Sequence, residues 1–486
     1  MLVPWVSEEM KTADLPDKRL NERLAIVLSQ LAGQPTASIP AACGGYAEMV
    51  AAYRLFENER LSFEDVLQPH IDATRRRVAE QPVVILAQDT TELDFTRPQQ
   101  QVVGAGPVDG GKRRGAFLHP LHAFTPDGVP LGTVAARVWA RSDERPLPAA
   151  ERQAQRKKLP IEQKESHRWI DMLRRGQELA SEVSSTRFIC VADSEADIYE
   201  LLAEAEMQPR RVDWIVRAAG DRALQDNAEN AASAGLLHAE VMRSPVLFTK
   251  TITVREREPK VACAVRGRCQ PRQARQAEVE VRAARVTLHP PYRRDRKLPA
   301  LPVNVVLVRE IAPPFGEDPI EWMLLTSLPI ATAEEVAAVI QFYCVRWMVE
   351  ILFRTLKSGC RVEERRFETM DRLFLCVAVY LIVSWRTLFV CRMGRSLPDV
   401  SCEVVFEPAE WKSAWRVVRQ SRPPVEPPKL RDMVRLVAQL GGYVNRSRQD
   451  EPGPQTVWLG LQRLHDITLC WQVFGPEAEA ETIIFV

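Results

Sequence analysis

Val83-Val84-Ile85-Leu86-Ala87-Gln88-Asp89-Thr90-Thr91 is the stretch that decides the fold. Its opening apolar run is what a strand buried on both faces requires, and a carboxylate follows at its end. The same signature returns in Phe188-Ile189-Cys190-Val191-Ala192-Asp193, and Trp214-Ile215-Val216-Arg217-Ala218 gives a further apolar run. Between the first two, Phe117–Phe124 and Thr133–Trp139 read as strands joined into a hairpin by Pro126-Asp127-Gly128. A polar stretch around Ile161–Glu182 reads as helix. Three strands, helix, strand, helix, strand is the order of a mixed sheet covered by helices, an α/β architecture.

Outward from this core the character of the chain changes. Residues 1–80 read as a helical domain: Leu20, Leu24, Val27, Leu28 and Leu31 recur at helical spacing, and Gly33-Gln34-Pro35 stops the run. Residues 81–365 read as the sheet-containing domain, carrying a β-rich insertion at about 223–322 with alternation in Thr251–Val254, Val279–Val286 and Val303–Val308. Residues 366–486 read as a second helical domain, broken by the Pro-rich loop Arg422–Pro428. A chain of 486 residues has room for two or three domains. With 46% hydrophobic and 27% charged residues, wholesale disorder is excluded.

A net charge of +1 hides a local imbalance. Residues 251–300 hold 13 Lys and Arg against 5 Asp and Glu, a local excess of eight positive charges. Most charge runs are solvated surface, but an uncompensated excess in a near-neutral protein is the footprint of phosphate binding. The ten cysteines contain no C-x-x-C pair, and Cys263 and Cys269 lack zinc spacing, so reduced thiols in the cytoplasm are expected. Met1–Lys11 has no basic flank before a long apolar run, so no signal peptide is expected. The most apolar stretch, Leu373–Cys391, contains Ser384 and Arg386 and reads as a buried core helix, not a membrane span.

Three acidic positions carry the candidate chemistry. Asp89 and Asp193 each end a buried strand, where backbone is fixed and side chains meet solvent. A single Asp after a strand is more often a cap or turn residue; two in one sheet shift the balance. The third lies on a helix that Thr332 caps, with Glu335 completing a capping box and Ser358-Gly359 supplying the stop. On one regular helix Tyr343, Arg346, Glu350 and Lys357 share an arc of about 60°. Such a face is ordinarily a solvated, salt-bridged one worth a few tenths of a kcal/mol. Three carboxylates also suit two Mg²⁺ ions about 4 Å apart, with Arg and Lys holding phosphates on either side. His119 and His122 make a poor metal pair, since on a strand they point to opposite faces and Pro120 disturbs the ladder. His167 has no evident partner, and no Gly-rich phosphate loop indicates nucleotide use.

Tyr343-x-x-Arg346-x-x-x-Glu350-x-x-x-x-x-x-Lys357 resembles the Y-R-E-K signature of bacterial cut-and-paste DDE transposases of the insertion-sequence-four family. Asp89-Thr90-Thr91 and Asp193-Ser194-Glu195-Ala196-Asp197-Ile198 resemble that family's first and second aspartate motifs. Asp17–Arg23 and Ala52–Phe56 are similar to its N-terminal end-recognition domain, and Leu440–Tyr443 with Pro452–Gly460 to its C-terminal part. The resemblance makes residues 81–365 the catalytic domain, an RNase H-like core with a β-rich insertion, flanked by an N-terminal transposon-end-binding domain and a C-terminal dimerisation domain. It implies Asp89, Asp193 and Glu350 as catalytic ligands of two Mg²⁺ ions, with Mn²⁺ as a substitute. It implies contacts to DNA from Tyr343, Arg346, Lys357 and Arg217, and a role in hairpin formation for Trp322, whose ordinary place in an apolar strand is the core. The implied partners are transposon-end DNA, target DNA and a second copy of the chain in a synaptic complex, with no membrane and no nucleotide cofactor. Two rival readings stand beside it: a catalytically silent end-binding inhibitor of transposition, and a carboxylate-pair hydrolase using Asp89 and Asp193 as acid and base.

Overall fold

The computed structural model describes residues 3–109, 112–142, 151, 159–207, 209–225, 235–254, 256, 272–444 and 451–476. Two compact units divide the chain: Met1–Leu147 together with Trp347–Val486, and Pro148–Arg346.

The first unit opens with helices, as the spacing predicts: α1 (Pro4–Glu9), α2 (Lys18–Gly33), α3 (Ile39–Ala42), α4 (Tyr46–Phe56) and α5 (Phe63–Ala79). Asp17 caps α2 and a Ser62/Asp65 capping box starts α5, so the first-turn donors of both helices are satisfied. Leu24, Val27, Leu28 and Leu31 are fully buried. Five strands follow: β1 (Val83–Gln88), β2 (Thr91–Asp94), β3 (Gly106–Asp109), β4 (Arg113–Phe124) and β5 (Pro130–Trp139). β4 is the hub and pairs antiparallel with the other four. Val84–Ala87 have no exposed surface, the two-sided burial their continuous apolarity predicts. The β4–β5 hairpin turns through Gly128 at φ +78°, a conformation glycine adopts without strain.

The second unit is a β-α-β unit extended by a meander. Helix α6 (Arg168–Glu182) precedes β6 (Arg187–Ala192), and α7 (Tyr199–Ala205) crosses to the parallel strand β7 (Asp213–Arg217). After α8 (Leu237–Arg243) come β8 (Phe248–Val254), β9 (Arg275–Leu288), β10 (Leu301–Glu310) and β11 (Glu321–Thr326). These run antiparallel in the order β7-β11-β10-β9-β8. Helix α9 (Ala333–Val345) begins at the expected Thr332/Glu335 capping box.

The chain then returns to the first unit through α10 (Trp347–Arg354), a π-turn at Thr355–Gly359, α11 (Met370–Ser396), α12 (Pro408–Arg419), α13 (Leu430–Leu440) and α14 (Pro454–Phe474). Both Ala333–Glu364 and Met370–Ser396 are long and apolar enough to cross a membrane. In α11, 83% of the most apolar window is buried within the protein, which accounts for its composition as core.

One local expectation fails. Tyr343 through Gly359 do not form a single regular helix. The Arg346 N–H bonds back only three residues to the Tyr343 carbonyl, at 3.1 Å, and the winding loosens to a π-turn from Thr355. A tightened turn and a widened one each shift helical phase, so the uninterrupted regular winding that the spacing predicts is broken at Arg346 and again from Thr355.

Candidate active site

β1 delivers Asp89 at its C-terminal end, half-buried, where Oδ1 accepts the Thr90 N–H at 2.7 Å. The Thr90 hydroxyl lies 2.8 Å from His119 Nδ1, and His119 Nε2 lies 3.2 Å from Gln88 Oε1. His119 is fully buried, so these contacts satisfy its ring. His122 points elsewhere, with Nδ1 3.1 Å from the Thr133 hydroxyl, and burial holds its pKa well below the usual histidine range. The two histidines are therefore hydrogen-bonded core residues.

β6 delivers Asp193, whose Oδ1 accepts the Glu195 N–H at 2.8 Å and so caps a short 3₁₀ turn. Arg217 ends the parallel neighbour β7, one step past the paired Ala192 and Val216, and its Nη2 reaches the Ser194 hydroxyl at 3.3 Å. Asp193 and Arg217 thus leave the same edge of this sheet. On the next strand, Trp322 is half-buried and its ring lies 6.0 Å from that of Tyr343. The Arg346 guanidinium sits 5.9 Å from the Tyr343 ring centre. Burial pushes the Tyr343 hydroxyl above its ordinary range, opposed by the positive charges of Arg346 and Arg217 and reinforced by Asp193. The second unit therefore brings together Asp193, Arg217, Trp322, Tyr343 and Arg346.

Glu350 is exposed in the first turn of α10. Lys357 lies in the π-turn, its Nζ 3.8 Å from Glu363 Oε1. Among the described residues no group of three or more His, Cys, Asp and Glu side chains is gathered closely enough to hold a metal ion. The donor chemistry of Asp89, Asp193 and Glu350, all carboxylate oxygen, nevertheless suits a hard divalent cation such as Mg²⁺.

The sequence reading missed the residues that brace the second aspartate turn. Asp197, its side chain 3% exposed, is paired with Arg222 and accepts the Ala219 N–H at 2.8 Å. Glu195 pairs with Arg168 at 3.0 Å. His167, for which no partner was evident, lies 3.1 Å from Asp171 one helical turn on. The basic insertion is also more compensated than its local count suggests. Arg255, Arg257, Lys260, Arg266 and Arg268 lie outside the described residues, as do Cys263 and Cys269. Of the remainder, Arg275 pairs with Glu310 and Glu317, Arg282 with Glu280, Arg293 with Glu200, and Arg296 with Glu162 and Asp295. Arg285, Arg294 and Lys297 are exposed and stand outside these pairs.

Comparison with known families places these elements. Residues 3–61 match the family model described as transposase DNA-binding, residues 163–385 the transposase DDE domain, and residues 382–470 the transposase Tn5 dimerisation domain. Asp193 and Glu350 fall inside the DDE match, whereas Asp89 precedes it. Among solved structures, the chain is similar to one from a piggyBac transposase synaptic complex with hairpin DNA. That match has 8% identity and a TM-score of 0.36, covering 81% of this chain and 72% of that one. The chain thus carries matches to transposase DNA-binding, DDE and Tn5-type dimerisation domains in that order, on an RNase H-like mixed sheet with a β-rich insertion between two helical regions, which together support a Tn5-like DDE transposase.

Proposed function

We propose that this chain catalyses cut-and-paste DNA transposition, as a member of the insertion-sequence-four family close to the transposase of the kanamycin-resistance composite transposon. The observation that carries the reading is the second-unit cluster. A strand-end carboxylate, Asp193, stands beside Arg217 and the Tyr343–Arg346 pair, inside the match to a transposase DDE domain. Asp89, Asp193 and Glu350 would hold two Mg²⁺ ions, for which Mn²⁺ would substitute, and the bound metal would supply activation of an attacking oxygen and stabilisation of a leaving one. Arg217, Arg346 and Lys357 hold the phosphates flanking the scissile bond. Trp322, half-buried against Tyr343, supports the sharply bent DNA of a hairpin.

The reaction begins with hydrolysis of one strand at each transposon end. The freed 3′-hydroxyl attacks the opposite strand to close a hairpin, water reopens it, and the 3′-hydroxyl then attacks target DNA. The N-terminal helices bind the transposon end, and two copies pair in a synaptic complex through the C-terminal helices. No nucleotide cofactor takes part. The protein works in the bacterial cytoplasm, on the nucleoid when bound to DNA.

The test incubates the protein with DNA ends flanking its gene and Mg²⁺, Mn²⁺ or Ca²⁺, resolving products on denaturing gels. Nicks followed by hairpins with Mg²⁺ are the expected outcome. Glu350→Ala should cut nothing while still shifting the ends in a mobility assay. Ends bound but never cut by the natural chain identify the silent inhibitor instead. Absence of salt-sensitive end binding removes the transposase reading altogether.

A further inference from the structure

Along the edge of β4 that pairs with β1 and β2 the register is interrupted: Gln88 pairs with Leu121 and Thr91 with Leu118, so Asp89 and Thr90 fall between the two paired segments, beside Pro120 and His119, which pair with Ala136 and Arg137 on the other edge. Proline has no N–H to give a ladder, so a break in pairing is at home there. A side chain fills the gap. His119, with no exposed surface, reaches the Thr90 hydroxyl through Nδ1 at 2.8 Å and Gln88 Oε1 through Nε2 at 3.2 Å. An amide oxygen only accepts, so Nε2 carries the proton and Nδ1 accepts from the threonine hydroxyl. Thr90 in turn gives its backbone N–H to Asp89 Oδ1 at 2.7 Å.

We propose that His119 is a positioning residue for Asp89, acting through Thr90. The imidazole spans the two residues that bracket the aspartate. It fixes the Thr90 side chain at one end and the end of β1 at the other. With Thr90 fixed, its N–H orients one carboxylate oxygen of Asp89, so the aspartate is presented in one rotamer. The polarity of the chain runs from threonine hydroxyl to imidazole to amide oxygen. The imidazole thus acts as a rigid spacer, and an apolar side chain of equal size would remove both of its hydrogen bonds, to Thr90 and to Gln88. This inference rests on the reading of Asp89 as a catalytic ligand.

Two substitutions separate the two ends of the imidazole. His119→Asn keeps an acceptor near the Nδ1 position, and His119→Gln keeps a donor near Nε2 but abandons Thr90. Thr90→Val removes the hydroxyl at nearly constant shape and leaves the backbone N–H. In the full-length protein, His119→Gln and Thr90→Val should each slow first-strand cleavage on the order of 10- to 100-fold, as small misplacements of reacting groups do. Both should raise the half-saturating Mg²⁺ concentration and leave end binding unchanged. Without DNA, both should also weaken peptide cutting near Asp89 directed by bound Fe²⁺ and peroxide. His119→Asn should stay close to the natural rate, and the His119→Gln/Thr90→Val double variant should be no worse than the poorer single.

The proposal fails if Thr90→Val cleaves at the natural rate with unchanged Mg²⁺ dependence. It also fails if His119→Gln lowers only the melting temperature, or if the two effects simply multiply. Should His119→Gln not fold, Thr90→Val carries the decision alone. Asp89→Asn is the control: if it still cleaves, the catalytic reading of Asp89 falls and His119 falls with it. An inactive Asp89→Asn beside a fully active Thr90→Val discards only the role of His119.

Discussion

The two aspartate turns are braced by different chemistry. At the first, the fully buried His119 meets Thr90 and Gln88, and the same unit buries two more histidines beside its arginine pairs: His122 against Thr133, and His70, which lies 2.6 Å from the buried Glu9 carboxylate and accepts the Thr133 N–H at 3.1 Å. In the second unit, arginine forks predominate, from Arg168 and Arg222 around the Asp193 turn to Arg275, Arg293 and Arg296 in the insertion. Buried imidazole is a proton-sensitive brace and is shielded from salt. Part-exposed guanidinium keeps its charge at any working pH but is screened by added ions. The two aspartate turns should therefore tolerate different insults.

The largest effect tests whether the turns are equivalent in chemistry despite their different bracing. Asp89→Asn and Asp193→Asn should each lower strand cleavage on the order of a thousandfold or more, as loss of one member of a concerted set does. End binding should persist in both. A variant of one turn that keeps cleaving would assign catalysis to the other alone. Next in size is Asp197→Ala. Its carboxylate is almost wholly buried against Arg222, and stranding the guanidinium should cost about 3 kcal/mol in denaturant unfolding. Loss of less than about 1 kcal/mol would show the clamp to be solvent-screened like a surface pair.

Acid should weaken the first unit selectively. Burial lowers the pKa of His70, opposed by Glu9, and holds that of His122 well down. Because the unfolded chain binds protons near pH 6.5 that these folded imidazoles refuse, stability falls as pH drops through and below that value. Hydrogen-exchange protection in β4 and β5, referred to the intrinsic rate at each pH, should fall between pH 7.5 and 5.5, and His122→Gln should flatten the trend. Loss of protection in β9 and β10 instead would reverse the assignment. The smallest effect concerns the insertion. Arg294→Ala and Lys297→Ala, outside the ion pairs, should each reduce the salt slope of DNA binding by about 0.9 if they meet phosphates. Arg293→Ala, anchored on Glu200, should change stability more than the slope.

What the sequence made legible follows from these same residues. Continuous apolar runs located β1, β6 and β7, a Pro-Asp-Gly turn located the hairpin, and Thr332 with Glu335 located the start of α9, because each signal is local. β2 and β3 escaped, being four residues each, one directly after the Asp89 turn and the other beginning Gly-Pro. The partners of the insertion's arginines escaped because Glu162, Glu200, Glu310 and Glu317 lie outside the fifty-residue window in which charge was counted. No glycine or proline marks the tightening at Arg346, which therefore has no local signature. His119 was weighed as a metal ligand with His122; its actual partners, Gln88 and Thr90, are adjacent only once β1 and β4 have paired.

Helix α11 serves as common property. It packs against α2, α4 and α5, while Val390 and Cys391 near its end enter the core formed with Trp411, Met433, Val437 and Leu464. The two family matches meet at residues 382–385, within this helix. Anyone cloning fragments at that seam would saw through a shared axle: a piece ending at 385 would lack the hub on which the tail turns, and a piece beginning at 382 would expose an apolar stump. Separable modules of this protein have to be cut where side chains part company, and homology boundaries do not mark those places.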